Sequence, residues 1–145
     1  MSRRYFSLDE ANAQVPELTR ALLAALQLRA RLKALYKKLD DAGFAPEGEG
    51  FPIVIKRAPA EVTRDRASFK AMVETLREQV AGVQALGCTI KDLESGLIDW
   101  WARKGDQDVL LCWRLGEPAV THWHEPDAGF AGRRPVSELE LTGRA

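Results

Sequence analysis

The spacing of apolar residues changes at Gly87, and that change limits the kinds of fold open to the chain. Before Gly87, apolar residues recur every three or four positions: Leu18, Leu22, Ala25, Leu28, Leu32, Leu35 and Leu39, then Phe69, Val73, Leu76, Val80 and Val83. Such spacing draws one apolar stripe along each of two helices. After Gly87 the period falls toward two, and the segment to Gly143 holds seven of the eleven Gly and all four Trp. Alternation with turn residues between short runs is the pattern of antiparallel strands. The expected class is therefore α+β, a long antiparallel helical hairpin followed by a small antiparallel β-meander.

Local signals set the expected boundaries. Ser7-Leu8-Asp9-Glu10 has the spacing of a capping box, with Tyr5 or Phe6 ahead of it as a staple contact. Pro16 lacks an amide hydrogen, so a short helix near 8–14 is expected, then a longer one from Pro16 to about Asp41. The second helix is expected to start at Asp65 or Ser68 and to stop at Gly87, a left-handed terminator. Neither narrow stripe is stable alone, so the two helices should pair. Between them the connector 43–67 carries Pro46, Pro52 and Pro59 and is long for a helix–helix loop. Within it Phe51-Pro52-Ile53-Val54-Ile55 suits either a strand or a plug in the core. Strands are expected at 88–93, 97–101, 109–114 and 119–124, separated by Glu94-Ser95-Gly96, Lys104-Gly105-Asp106 and Gly116-Glu117-Pro118. The whole, 1–145, reads as one domain, with a hairpin over about 8–86 and a β part over about 88–141.

Composition excludes several classes. Twenty-one Lys and Arg balance 21 Asp and Glu, which argues against gripping nucleic acid through its phosphates. No apolar run approaches the roughly 20 residues of a membrane span. The N-terminus leads straight into Asp9, Glu10 and Asn12 rather than a signal-peptide core. Cys88 and Cys112 are then expected to be reduced thiols in a cytoplasm. Residues 1–42 hold eight basic against five acidic side chains, and 68–100 hold three against five. Complementary helices of this kind favour pairing, and a homodimer built on the hairpins is expected.

Three segments of the chain resemble a known family. They are Gly87-Cys88-Thr89-Ile90-Lys91-Asp92-Leu93-Glu94-Ser95-Gly96-Leu97-Ile98-Asp99-Trp100, Leu111-Cys112-Trp113-Arg114-Leu115-Gly116-Glu117 and Trp123-His124-Glu125-Pro126-Asp127-Ala128-Gly129-Phe130-Ala131-Gly132-Arg133. With the opening Tyr5-Phe6-Ser7-Leu8-Asp9-Glu10-Ala11-Asn12, they are similar to the bacterial domain-of-unknown-function 2203 family. The resemblance covers nearly the whole chain except the connector. It implies a bacterial, cytosolic, single-domain protein and assigns no activity.

The residues themselves locate a candidate site. His122 and His124 lie two apart on one strand, so their rings project from one face while Trp123 points away. A sheet offers two nitrogen ligands to a zinc-like divalent metal in this way, with Asp127, Glu117, Asp99 or Glu94 as a third donor. The bland account makes His122 an exposed strand residue and His124 a half-buried ring bonded to a carboxylate or carbonyl. The resemblance favours His124 over His122 as the motif position. Gly129 and Gly132 allow close backbone approach, and Arg133 offers a planar fork to a carboxylate or phosphate. Its structural alternative is an internal pair with Asp127 or Asp99. The acids Asp92, Glu94 and Asp99 suit solvated turn positions better than acid–base work, and Cys112 suits a small core residue.

The ligand-binding set expected is thus His124, Glu125, Asp127 and Arg133 with Asp99 or Glu117, and the metal set His122, His124 and Asp127. Two functions compete. One is a non-catalytic binding module that takes a small acidic ligand or a protein partner and dimerises through its helices. The other is a divalent-metal enzyme, hydrolase-like, using His122 and His124 with nearby carboxylates.

Overall fold

The computed structural model describes residues 3–48 and 50–139. Two helices, α1 (Leu8–Asp41) and α2 (Ala60–Gln84), precede five strands. These are β1 (Thr89–Asp92), β2 (Leu97–Lys104), β3 (Gln107–Arg114), β4 (His122–His124) and β5 (Arg134–Pro135). The strands form one sheet in the order β1-β2-β3-β4-β5, every neighbour antiparallel. The class is α+β, a helical hairpin followed by a meander, as the change of period at Gly87 requires. Of the expected β region, residues 140 and 141 lie outside those described. No helix among the described residues is long and apolar enough to cross a membrane. The chain gathers into two compact units, 1–23 with 82–145, and 24–81.

The larger unit is built on the sheet. Paired residues share a face, and one face carries Ile98 with Trp113, Trp100 with Leu111 and Trp123, and Ala102 with Val109. All of them are buried, and the first turns of α1 add Ala11, Val15, Leu18 and Leu22 to the same core. Each buried indole finds an acceptor: Trp100 donates to Gln14 Oε1 at 2.8 Å, Trp113 to the Glu117 carbonyl at 2.9 Å and Trp123 to the Pro135 carbonyl at 3.2 Å. A partner for each polar tip is what makes three tryptophans tolerable in one core.

The capping box forms as its spacing demands. Glu10 N donates to Ser7 Oγ at 3.1 Å and Ser7 N donates to Glu10 Oε1 at 2.8 Å. The Ser7 amide holds the Glu10 carboxyl below its ordinary pKa. Pro16 does not divide the helix as expected, for α1 runs unbroken from Leu8 to Asp41. A proline removes one i−4 bond, and here burial of Val15 and Leu18 on either side of it outweighs that loss. Asn12, one turn earlier, turns its side chain outward from the helix and accepts Val120 N at 2.7 Å.

The β2–β3 hairpin is longer than expected. Its register is continuous from Leu97↔Arg114 to Lys104↔Gln107, leaving only Gly105-Asp106 as the turn. The fourth strand is shorter than expected and covers His122–His124 only. Beyond it the glycine-rich segment returns as β5, pairing His122 with Pro135 and Trp123 with Arg134.

In the smaller unit, 24–81, the second helix is longer than its apolar spacing alone indicates. α2 begins at Ala60, not at Asp65 or Ser68, directly after Pro59. The Pro59 carbonyl accepts from Val62 N and Thr63 N, so Asp65 falls in the second turn, where its carboxylate engages Lys38 Nζ at 2.9 Å. Arg66, 3% exposed, donates to the Pro52 carbonyl at 2.7 and 3.0 Å and to the Phe44 carbonyl at 2.5 Å. Three charge-assisted bonds to backbone fold the connector, now 42–59, onto this unit. Of the two readings of Phe51–Ile55, the plug holds. Phe51 is buried, its ring edge-on to Phe69 at 5.9 Å and 5.1 Å from the Arg66 guanidinium.

Two residues test this account. Gly87 has φ +98°, and a Cβ there would stand 2.6 Å from the Phe6 ring. Gly87→Ala is expected to cost about 1–2 kcal/mol for the left-handed backbone alone, with displacement of Phe6 added. Ser7→Ala should cost about 1 kcal/mol through loss of the cap. Urea unfolding of the two variants checks both values, and the larger loss must fall at Gly87.

Candidate functional site

The face of the sheet opposite Trp100, Trp113 and Trp123 carries buried polar side chains of its own. β-alternation and register place Asp99 beside Cys112 and His122, and Trp101 beside Leu110 and His124. Asp99, Cys112 and His124 are 1%, 0% and 3% exposed. His124 Nε2 lies 3.1 Å from Asp99 Oδ2, so the pair reaches from β4 to β2 across β3. The other ring nitrogen, Nδ1, lies 2.7 Å from the Glu125 carbonyl. Both partners are acceptors, which suits a ring with two N–H groups, an imidazolium. The bond to Asp99 raises the His124 pKa against the opposing effect of burial.

Cys112 completes the group. Its sulfur, a His124 ring nitrogen and an Asp99 carboxylate oxygen all lie within 4.8 Å of one another. This group of three could hold a metal ion. Burial, reinforced by the Asp99 charge, pushes the Cys112 thiol up to about 12. The arrangement is not that of a thiol hydrolase. A nucleophilic cysteine needs a base hydrogen-bonded to it and a lowered pKa, whereas both His124 nitrogens face other acceptors and the thiol stays protonated.

The sequence-predicted residues separate into two sets. Asp99 and His124 are brought together. Glu117 and Arg133 form a second pair, Arg133 Nη2 to Glu117 Oε1 and Oε2 at 2.8 and 2.9 Å. Arg133 thus finds Glu117, not Asp127 or Asp99. His122 shares the face but stays outside the group of three, its Nδ1 2.9 Å from Thr121 Oγ1. Glu125 and Asp127 are exposed, and Glu125 serves His124 through its backbone carbonyl. Asp92 accepts from the Ser95 amide and hydroxyl, a turn role. Cys112 is the residue that sequence reasoning passed over. Its signal was parity: two positions on from Leu110 and one from Trp113, it had to lie on the face away from the core.

Beside this group, on the same face, a pocket of about 290 Å³ is lined by Ser95, Leu97, Arg114 and Phe130. Leu97 and Arg114 are paired in register, two residues along from Asp99 and Cys112. Phe130 comes from the glycine-rich loop, its ring 4.5 Å from the Arg133 guanidinium and 5.8 Å from that of Arg114.

An α+β protein with a helical hairpin, a meander and a buried Asp–Cys–His face is the class that these features define. The family model described as "Uncharacterized conserved protein (DUF2203)" matches residues 4–136. The chain belongs to that family. Neither a curated protein nor a solved structure matches it significantly.

The titrations give a test in chelator-containing buffer. His124 has its proton affinity raised on folding, so its contribution is complete below the ordinary value of 6.5 and fades as pH rises through the folded value. The thiols Cys88 and Cys112, pushed from 9.0 to about 11 and about 12, add a second loss that begins above 9.0. Melting temperature should therefore fall in two stages from pH 6 to pH 11. His124→Asn should flatten the first stage and leave the second; an unchanged first stage would refute the His124 assignment.

Proposed function

We propose that the protein is a non-catalytic binding module that takes a small molecule with an apolar body and an anionic group. The observation that carries this reading is the pocket of about 290 Å³ with Leu97 and Phe130 as apolar walls and Arg114 at its side. Arg114 makes no ion pair among the described residues, and its guanidinium is a fork suited to a carboxylate or phosphate. The lining offers contacts and one charge, but no pair of groups able to pass a proton. Two unbridged cysteines fit the reducing cytoplasm expected for such a module.

The metal-dependent hydrolase reading is weaker. The Asp99, Cys112 and His124 donors are shut from solvent, whereas a catalytic centre keeps a position open to substrate. His122 and Asp127, the other expected ligands, lie outside that group.

The binding test is a calorimetric titration with aliphatic and aromatic carboxylates against their uncharged amides. The carboxylates should bind, and Arg114→Gln should weaken them by about 10- to 100-fold, the value of a charged hydrogen bond. Equal affinity of acid and amide, or of wild type and Arg114→Gln, would overturn the proposal.

Dimerisation through the helices forms part of the same reading. On α2 the apolar residues Phe69, Met72, Val73, Leu76 and Val80 are only half-buried, and on α1 Tyr36 is 44% exposed. A second copy would cover such a surface. Light scattering at micromolar concentration should give twice the 16.1 kDa of one chain, and Leu76→Glu with Val80→Glu should return it to one.

A further inference from the structure

We propose that Asp99, Cys112 and His124 hold one divalent ion of the zinc or cobalt class as a closed structural centre of the sheet. Three observations converge on it. The donor atoms, one each from β2, β3 and β4, all lie within 4.8 Å of one another. Small side-chain rotations bring such a group to Zn–S of about 2.3 Å and Zn–N of about 2.0 Å. Asp99 Oδ1 is buried without a hydrogen-bond partner in a residue only 1% exposed. A buried carboxylate oxygen left unpaired is costly, and a cation supplies what it lacks. The Glu125 carbonyl, 2.7 Å from His124 Nδ1, is the outer partner that a metal-bound imidazole ordinarily has, fixing the tautomer that turns the Nε2 lone pair inward.

The donor set selects the ion. Thiolate, imidazole and carboxylate together suit zinc and cobalt, while magnesium and calcium prefer oxygen alone. On binding, the S–H bond of Cys112 breaks and its proton leaves to solvent as the sulfur–metal bond forms. His124 gives up its Nε2 proton in the same way and keeps Nδ1–H donating to Glu125. Asp99 binds through both carboxylate oxygens, Oδ1 included, which fills the fourth position without solvent. With all three side chains enclosed, the ion ties three strands together and meets no substrate, so its role is to fix the sheet face on which the pocket stands.

The competing account is an ion pair alone, His124 with Asp99, with Cys112 a protonated thiol beside them; it leaves Asp99 Oδ1 without a partner. Cobalt(II) titration of untagged, chelator-stripped protein separates the two. The expected result is one cobalt per chain, a sulfur-to-cobalt charge-transfer band in the near ultraviolet, and a melting temperature raised by zinc. Cys112→Ser, close in size to the native residue, should stay folded by circular dichroism, lose that band and bind zinc at least 10-fold more weakly. Should Cys112→Ser fail to fold, the charge-transfer band of the native protein decides alone. No binding at micromolar metal, a cobalt spectrum without the sulfur band, or equal zinc affinity in the folded Cys112→Ser variant would overturn the proposal.

Discussion

The continuous register of β2 on β3 is the constraint from which the rest of this structure follows. Eight residues pair with eight, from Leu97↔Arg114 to Lys104↔Gln107, without a bulge. With a side-chain period of two, that register commits every residue of both strands to one face or the other. Ile98, Trp100, Trp113 and Leu111 must then share the core face, and Asp99 and Cys112 must share its reverse. A slip of one residue would carry Asp99 into the tryptophan layer, where no partner awaits it, so the large aromatics and the buried acid enforce the same alignment.

Burial of the reverse face makes polar pairing obligatory. Enclosed polar groups in water-free surroundings cost stability unless bonded. Asp99 is bonded to His124, and Arg133 to Glu117, with both pairs drawn from segments far apart in the chain. A buried pair such as Asp99 with His124 adds little to net stability against an apolar alternative, yet removing one partner is strongly destabilising; Arg133 and Glu117, 13% and 25% exposed, are only partly enclosed. These residues therefore serve the arrangement of strands and loop more than the depth of the folded well.

Much of this was legible in the sequence. The change of period at Gly87 gave the fold class, the Ser7-x-x-Glu10 spacing gave the start of α1, and strand alternation put His122 and His124 on one face. What was not legible shares one cause: tertiary contact overriding a local signal. Pro16 predicts a break that core packing cancels. The first turn of α2 hides behind Pro59, which has no side chain able to cap a helix, while the cap-like Asp65 lies a turn inside and pairs with Lys38, more than twenty residues earlier. β5 has two residues and no periodicity to read. In the site, His124, Arg133, Asp99 and Glu117 could be named from residue type and proximity to the glycine-rich loop. Their pairing could not, because it depends on the register of β2, β3 and β4, and without that register Cys112 looked like an ordinary core thiol.

The glycine-rich loop shows how the two polar pairs act together. Its start is held at Glu125, whose carbonyl faces His124 Nδ1, and its end at Arg133, whose guanidinium is bonded to Glu117. His124 is itself fixed by Asp99, and Glu117 also accepts the Arg114 amide at 2.6 Å. Both ends of the loop are thereby referred to β2 and β3, the longest and most completely paired strands. Between these anchors Phe130 is carried over the sheet to form a wall of the pocket. A loop of seven residues between the anchors, 126–132, would otherwise have many conformations, and ordering it at two side-chain bonds lowers the entropy that a ligand must remove on binding. The two polar pairs are thus a positioning device: Asp99 and His124 lie beside the pocket on the same face of the sheet, and Arg133 with Glu117 holds the loop that carries its Phe130 wall.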